Sequence, residues 1–205
     1  TLGGVVNNPA IVTWNGNVAV NDTGNVTVTL ASLARTAGEL VSGSPYAITG
    51  GTLNALAGSA AGNYTASLST VGNTLAVTPA ALSGTIANQT KVYGANDPAL
   101  AGIGVTLGGV VNNPAIVTWN GNVAVNDTGN VATTLASLTR VVGETVTAPG
   151  PTYAITGGTL GALTGSAAGN YTASVSTAGN TLTVTQAGAL TGTISTTKTY
   201  GQNDP

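Results

Sequence analysis

The chain has 205 residues, of which only four are Lys or Arg and six are Asp or Glu, and the formal net charge is −2. Four basic residues cannot neutralise a run of phosphates, so nucleic-acid binding is excluded. His and Cys are both absent, which removes His- or Cys-based zinc and haem sites, thiol nucleophiles, Ser-His-Asp relays and disulfides. The apolar residues lie in short runs broken by Thr, Asn and Gly, and none approaches the roughly 20 consecutive apolar residues of a membrane span. Low net charge with 42% hydrophobic residues also argues against intrinsic disorder, which combines low hydrophobicity with high charge.

In chain order, residues 11–14, the pair Asn15-Gly16 and residues 17–20 predict a hairpin, because Asn-Gly accepts the positive φ angles of a type I′ turn. Asn21-Asp-Thr-Gly-Asn25 reads as the next reversal, with Asx-turn geometry. Val26, Val28, Leu30 and Leu33 alternate with Thr27, Thr29 and Ala31, the period of a half-buried strand. Further strands are expected at 46–49, 64–69 and 74–78, divided by Gly50-Gly51, Gly62-Asn63 and Gly72-Asn73. No window supports a helix of three turns, since Gly, Thr, Asn and Val dominate.

The same elements then recur. Residues 1–26 return letter for letter as 106–131, and from Tyr46 onward the copies match at an offset of 107, as with Tyr153. The two extra residues fall between Glu144 and Tyr153, where Thr147-Ala-Pro-Gly-Pro151 reads as a surface loop. Lys91-Val-Tyr-Gly-Ala-Asn-Asp-Pro98 recurs as Lys198-Thr-Tyr-Gly-Gln-Asn-Asp-Pro205. The expected division is therefore a repeat without its opening segment at 1–90, a complete repeat at 91–197 and the start of a third at 198–205, as in an excerpt of a longer array.

Short strands with turn signals every 8 to 12 residues predict an all-β fold of tandem immunoglobulin-like β-sandwich repeats. An elongated, flatter β-ribbon is the alternative. The expected core is Val, Leu, Ile and Ala with one Trp and three Tyr per complete repeat. Its small side chains bury little area each, so each repeat should draw stability from its neighbours.

Lys-x-Tyr-Gly-x-Asn-Asp-Pro, then Leu-Thr-Arg-x-x-Gly-Glu at 138–144, Tyr-Ala-Ile-Thr-Gly-Gly-Thr-Leu at 153–160, Gly-Asn-Tyr-Thr at 169–172 and Leu-Thr-Val-Thr at 182–185 follow one another in order. This series resembles the MBG ("mostly bacterial glycine-rich") repeat of the YGX type. The resemblance implies a tandem β-rich module of large secreted or surface-anchored bacterial adhesins. Residues 101–135 exceed the family's usual segment, and an added hairpin there could make a repeat-to-repeat contact or a binding surface.

The charged residues recur once per repeat. Arg35 and Glu39, and likewise Arg140 and Glu144, are four apart and read as structural ion pairs. Lys91, Tyr93, Gly94 and Asp97 form a junction motif that returns as Lys198, Tyr200, Gly201 and Asp204. Asp97 and Asp127 are the candidate Ca²⁺ ligands, but each turn holds a single carboxylate where calcium wants six to eight oxygens, so no cofactor is expected. Paired acids for glycoside hydrolysis are missing, and no catalysis is expected. Lys91 with nearby carboxylates could condense into an isopeptide crosslink. Trp14 and Trp119, beside their Asn-Gly turns, are expected in the core or an interface, with sugar stacking as the other possibility.

These readings predict a spacer in an extracellular adhesin or filament at a bacterial cell surface or in a biofilm. Its partners would be neighbouring repeats, with self-association by edge-strand pairing of the 198–205 segment. The alternative is a module binding glycan or an ordered surface through its Thr- and Asn-rich faces.

Overall fold

A computed structural model describes residues 1–146 and 153–205; the loop expected at 147–151 lies outside the described residues. Among these there are fourteen strands, four single-turn 3-10 segments and no α-helix, so the chain is all-β, with several separate sheets. Among the described residues no helix is long and apolar enough to cross a membrane.

Two compact units result, and neither coincides with a sequence repeat. Unit 1 comprises 1–81, 109–132 and 163–172; unit 2 comprises 82–108, 133–162 and 173–205.

Unit 1 contains two copies of the same hairpin, β1 (Asn7–Thr13) with β2 (Gly16–Asn21) and β9 (Asn112–Thr118) with β10 (Gly121–Asn126). In both, the ladder slips near a proline, Pro9 or Pro114, whose missing N–H cannot enter it. The turn sits one residue earlier than the Asn-Gly signal predicts: Trp14 and Asn15 occupy it, and Gly16 already pairs with Thr13. Thr13 fixes this register, its Oγ1 donating to the Gly16 carbonyl at 2.6 Å and accepting from the Asn15 N–H at 3.3 Å. Gly16 takes the positive φ, 111°. Unit 1 also holds the sheet β3-β4-β5, formed by Leu30–Arg35, Tyr46–Leu53 and Thr74–Leu75.

Unit 2 is built on two sheets. One has the order β11-β12-β14-β7, from Leu135–Arg140, Tyr153–Leu160, Thr181–Thr185 and Gln89–Val92. The other has the order β13-β6-β8, from Tyr171–Ser176, Ala80–Thr85 and Thr106–Gly108. β7 runs parallel to β14, in register from Gln89 opposite Leu182 to Val92 opposite Thr185. Ile86, Ile103, Leu135 and Ile155 form one buried cluster, with Leu100, Val105, Leu138, Leu160 and Val175 packed around it. Both sheets therefore contribute apolar side chains to a single core.

Several expected strands differ between the copies. Residues 171–176 form β13, whereas 64–69, Tyr-Thr-Ala-Ser-Leu-Ser against Tyr-Thr-Ala-Ser-Val-Ser, form no strand. The expected strand at 74–78 shrinks to Thr74–Leu75, while its counterpart β14 has five residues. Near-identical sequence with different outcome means that pairing decides: β13 has β6 beside it and β14 has β7. The strand expected from Val26 begins only at Leu30, with Thr27 making an isolated bridge to Ala57. No Trp enters the core. Trp14 is fully exposed and Trp119 half exposed, while the buried aromatics are Tyr46 and Tyr171.

Candidate functional site

In unit 2 four of the five charged residues of one repeat converge. β7 carries Lys91, the following turn carries Asp97, β11 ends at Arg140, and Glu144 follows one short loop later. Lys91 Nζ lies 2.9 Å from Asp97 Oδ1 and 2.6 Å from Glu144 Oε2. Arg140 grips Asp97 with two bonds, Nε to Oδ2 at 2.8 Å and Nη2 to Oδ1 at 2.9 Å, and pairs its Nη2 with Glu144 Oε1. The guanidinium also donates to the Val141 and Gly143 carbonyls and stacks 5.4 Å from the centre of the Tyr153 ring. Gly143 must be glycine for two reasons: its φ is +152°, and a Cβ there would collide with that ring.

The cluster is electrically neutral, and each member favours the charged form of its oppositely charged partners. Hydrogen bonds from Arg140, then Lys91, push the Asp97 carboxyl down to about 2, from 3.8. Glu144 is lowered by Lys91 and then Arg140, and Lys91 is raised by Glu144 and then Asp97. An amide-forming step needs a neutral amine and a protonated carboxyl, so this arrangement opposes an isopeptide bond at Lys91. Both Asp97 oxygens are already taken by cations, and Asp127 accepts the Tyr171 hydroxyl at 2.6 Å. Among the described residues no group of three or more His, Cys, Asp or Glu comes together.

In unit 1 the equivalent Arg35 and Glu39 are paired, and Arg35 donates to the Thr36 and Gly38 carbonyls and stacks on Tyr46 at 5.2 Å. Its surroundings differ. The Asn120 side chain, at the tip of the β9-β10 hairpin, closes two hydrogen bonds on the Arg35 peptide: Oδ1 accepts the N–H at 3.2 Å and Nδ2 donates to the carbonyl at 2.6 Å. Asn170 adds a third contact, its Oδ1 accepting the Val41 N–H at 3.1 Å. The Arg35 side chain is 4% exposed and that of Arg140 18%.

The junction turn forms in the same way in both copies. Gly94 and Gly201 have φ of 80° and 84°, Lys198 pairs with Asp204 at 2.7 Å, and Tyr93 and Tyr200 are exposed. The base of each hairpin is also held alike: the Tyr64 and Tyr171 hydroxyls donate to Asp22 and Asp127 and accept from the Val6 and Val111 N–H groups, each at 3.0 Å. Burial first, and the hydrogen bond to Asp127 second, raise the Tyr171 hydroxyl pKa.

Sequence reasoning named the charged residues singly or in pairs, and the structure joins Lys91, Asp97, Arg140 and Glu144 into one cluster. It missed Asn120 and Asn170, because a turn asparagine reads as a turn former whatever else its amide reaches. It also missed the two tyrosines that carry the arginines, although each follows its arginine at a nearly constant distance. Chemically the cluster is a clamp, with all its charges compensated and no free base or nucleophile.

No family model matches the chain, and neither a curated protein nor a solved structure is significantly similar to it.

Proposed function

We propose that the chain is a structural segment of a secreted bacterial adhesin or extracellular filament, built from tandem immunoglobulin-like β-sandwich repeats of the MBG type, without catalysis. The observation that carries this reading is that segments of both sequence repeats build each compact unit. A unit assembled in this way gains its core from its neighbour, which suits an array that transmits force along one chain. The neutral Lys91-Asp97-Arg140-Glu144 clamp supports it further, since it ties the junction motif to the strand that precedes the Glu144 loop. Charge-compensated clusters of this kind fix register and hold segments together.

Small-angle scattering on chains of two, four and six repeats tests the reading. A maximum dimension that grows by a constant increment per added repeat is the expected result; growth as the cube root of mass would contradict it. Activity screens against glycosides and peptides should stay at background.

A second reading, binding of glycan through Thr- and Asn-rich faces, draws on the full exposure of Trp14. A glycan array with the Trp14→Ala variant as control tests it, and loss of a specific signal in the variant is the outcome that would favour it.

A further inference from the structure

Within unit 1 the Asn120 side chain stands in for a strand. β3 is an edge strand of the sheet β3-β4-β5, with Arg35 opposite Ile48 of β4. Both main-chain groups of Arg35 go to one carboxamide: Asn120 Oδ1 accepts the N–H at 3.2 Å and Nδ2 donates to the carbonyl at 2.6 Å. A carboxamide fits here because it offers a donor and an acceptor side by side. It covers one position of an edge that would otherwise present unpaired main-chain groups.

The same residue is a chemical weak point. Asn-Gly occurs in the chain only at 15–16 and 120–121. Asparagine is chemically labile, and most of all before glycine, because no Cβ shields the nitrogen that follows it. The Gly121 nitrogen, on losing its proton to solvent base, bonds to Asn120 Cγ; the Cγ–Nδ2 bond breaks, ammonia leaves, and a succinimide ring remains. Water then opens the ring at either carbonyl to give aspartate or isoaspartate. One water is consumed for each ammonia released, and nothing is oxidised or reduced.

Asn120 and Gly121 are both exposed, so base and water reach them. What restrains the reaction in the folded chain is the hold of Arg35. Nδ2 is the group that departs and Oδ1 turns with Cγ, so closing the ring breaks both bonds to Arg35.

We propose that Asn120-Gly121 is a deamidation site gated by Arg35, closed to reaction while the tip of the β9-β10 hairpin is docked and open when the tip lifts away. The inference goes beyond the adhesin reading and does not depend on it. The product cannot return to the docked position. A carboxylate only accepts, so a charged oxygen replaces the donor that sits 2.6 Å from the Arg35 carbonyl. Isoaspartate also routes the main chain through Cβ, which lengthens the turn that Thr118 Oγ1 holds through the Asn120 N–H and the Gly121 carbonyl. Each event therefore leaves the β3 edge open at Arg35, and unit 1 keeps a chemical record of the time its hairpin tip has spent undocked.

Timed incubation at mildly alkaline pH, followed by trypsin digestion and mass spectrometry, is the test. Cleavage after Arg35, Lys91 and Arg140 separates residues 1–35, with Asn15, from residues 92–140, with Asn120. Asn120 should deamidate about 10-fold more slowly in the folded chain than in the chain unfolded by guanidinium chloride. In the folded chain it should also react more slowly than Asn15, which is exposed in a turn with the same Thr hydroxyl bonds. A second arm uses the Asn120→Asp variant, with circular dichroism matching the parent as the check of its fold. Its Arg35 N–H should exchange with deuterium about 10-fold faster than in the parent. Equal Asn120 rates in the folded and unfolded chains, equal rates at Asn120 and Asn15 in the folded chain, or an Arg35 N–H whose exchange the substitution leaves unchanged would each overturn the proposal.

Discussion

Leu30 and Leu135 open the same strand motif, Leu-Ala-Ser-Leu-x-Arg, yet Leu30 is 52% exposed and Leu135 6%. The strands themselves pair alike: β3 with β4 and β11 with β12 share the same register and the same two irregularities. What differs is the segment 82–105, which supplies Leu100, Ile103 and Val105 around Leu135, along with Ile86. The first copy of the motif has no such cover in unit 1. Identical local sequence thus makes the same two-stranded frame but a different core, and the frame's burial is set by a segment from outside it. The Arg35 and Arg140 pair teaches the same lesson in polar chemistry. One guanidinium is 4% exposed and paired with a single carboxylate; the other is 18% exposed, with two carboxylates and a lysine beside it.

The largest effect expected from this comparison is on the two leucines. Leu135→Ala should lower unfolding stability by about 2 to 5 kcal/mol, as a fully packed leucine does, while Leu30→Ala should cost about 1 kcal/mol or less, as exposed positions do. Urea denaturation of both variants measures this, and equal losses would break the comparison. Next in size are the asparagines. Asn120→Ala removes two hydrogen bonds to the half-buried Arg35 peptide and should cost about 1 to 3 kcal/mol. Asn15→Ala, the same residue at the free hairpin tip, should be within about 0.5 kcal/mol of the parent in dilute solution.

The smallest effect is electrostatic and confined to unit 2. Asp97 and Glu144 have lowered pKa values in the folded chain, so the native state binds fewer protons than the unfolded chain there. Their contribution is therefore present above the unfolded values of 3.8 and 4.5 and is lost as pH falls toward about 2, where Asp97 itself protonates. Asp97→Asn should flatten that acid limb of the stability profile. A limb unchanged in the variant would place the acid sensitivity elsewhere. Both carboxylates are about half exposed, so solvent and added salt weaken the effect.

Much of the local frame was legible in the sequence. The hairpins follow from alternating Val and Ile about a Gly turn, and the Asx turns at Asn21 and Asn126 are seen in the Asn21 Oδ1 and Asn126 Oδ1 bonds to the N–H two residues on. The turn position was misread by one residue, because the Thr13 hydroxyl outweighs the Asn-Gly preference. What could not be read was which strands persist. Residues 64–69 and 171–176 have almost the same letters, and only the presence of β6 separates them. The charge cluster was hidden for a similar reason: Lys91 and Asp97 lie 43 or more residues from Arg140 and Glu144 in sequence, and only the parallel β7-β14 pairing brings the junction motif to them. Trp14 is expected in the core or an interface, and its full exposure at the turn centre overturns the core reading.

The central claim is that a neighbouring segment, rather than a repeat's own sequence, completes these sheets. Amide hydrogen exchange at 64–69 and 171–176 tests it most directly, because the two stretches differ only at Leu68 and Val175. The account predicts slow exchange across 171–176, which pair with β6, and fast exchange across 64–69, which form no strand. Equal protection of the two stretches would contradict it.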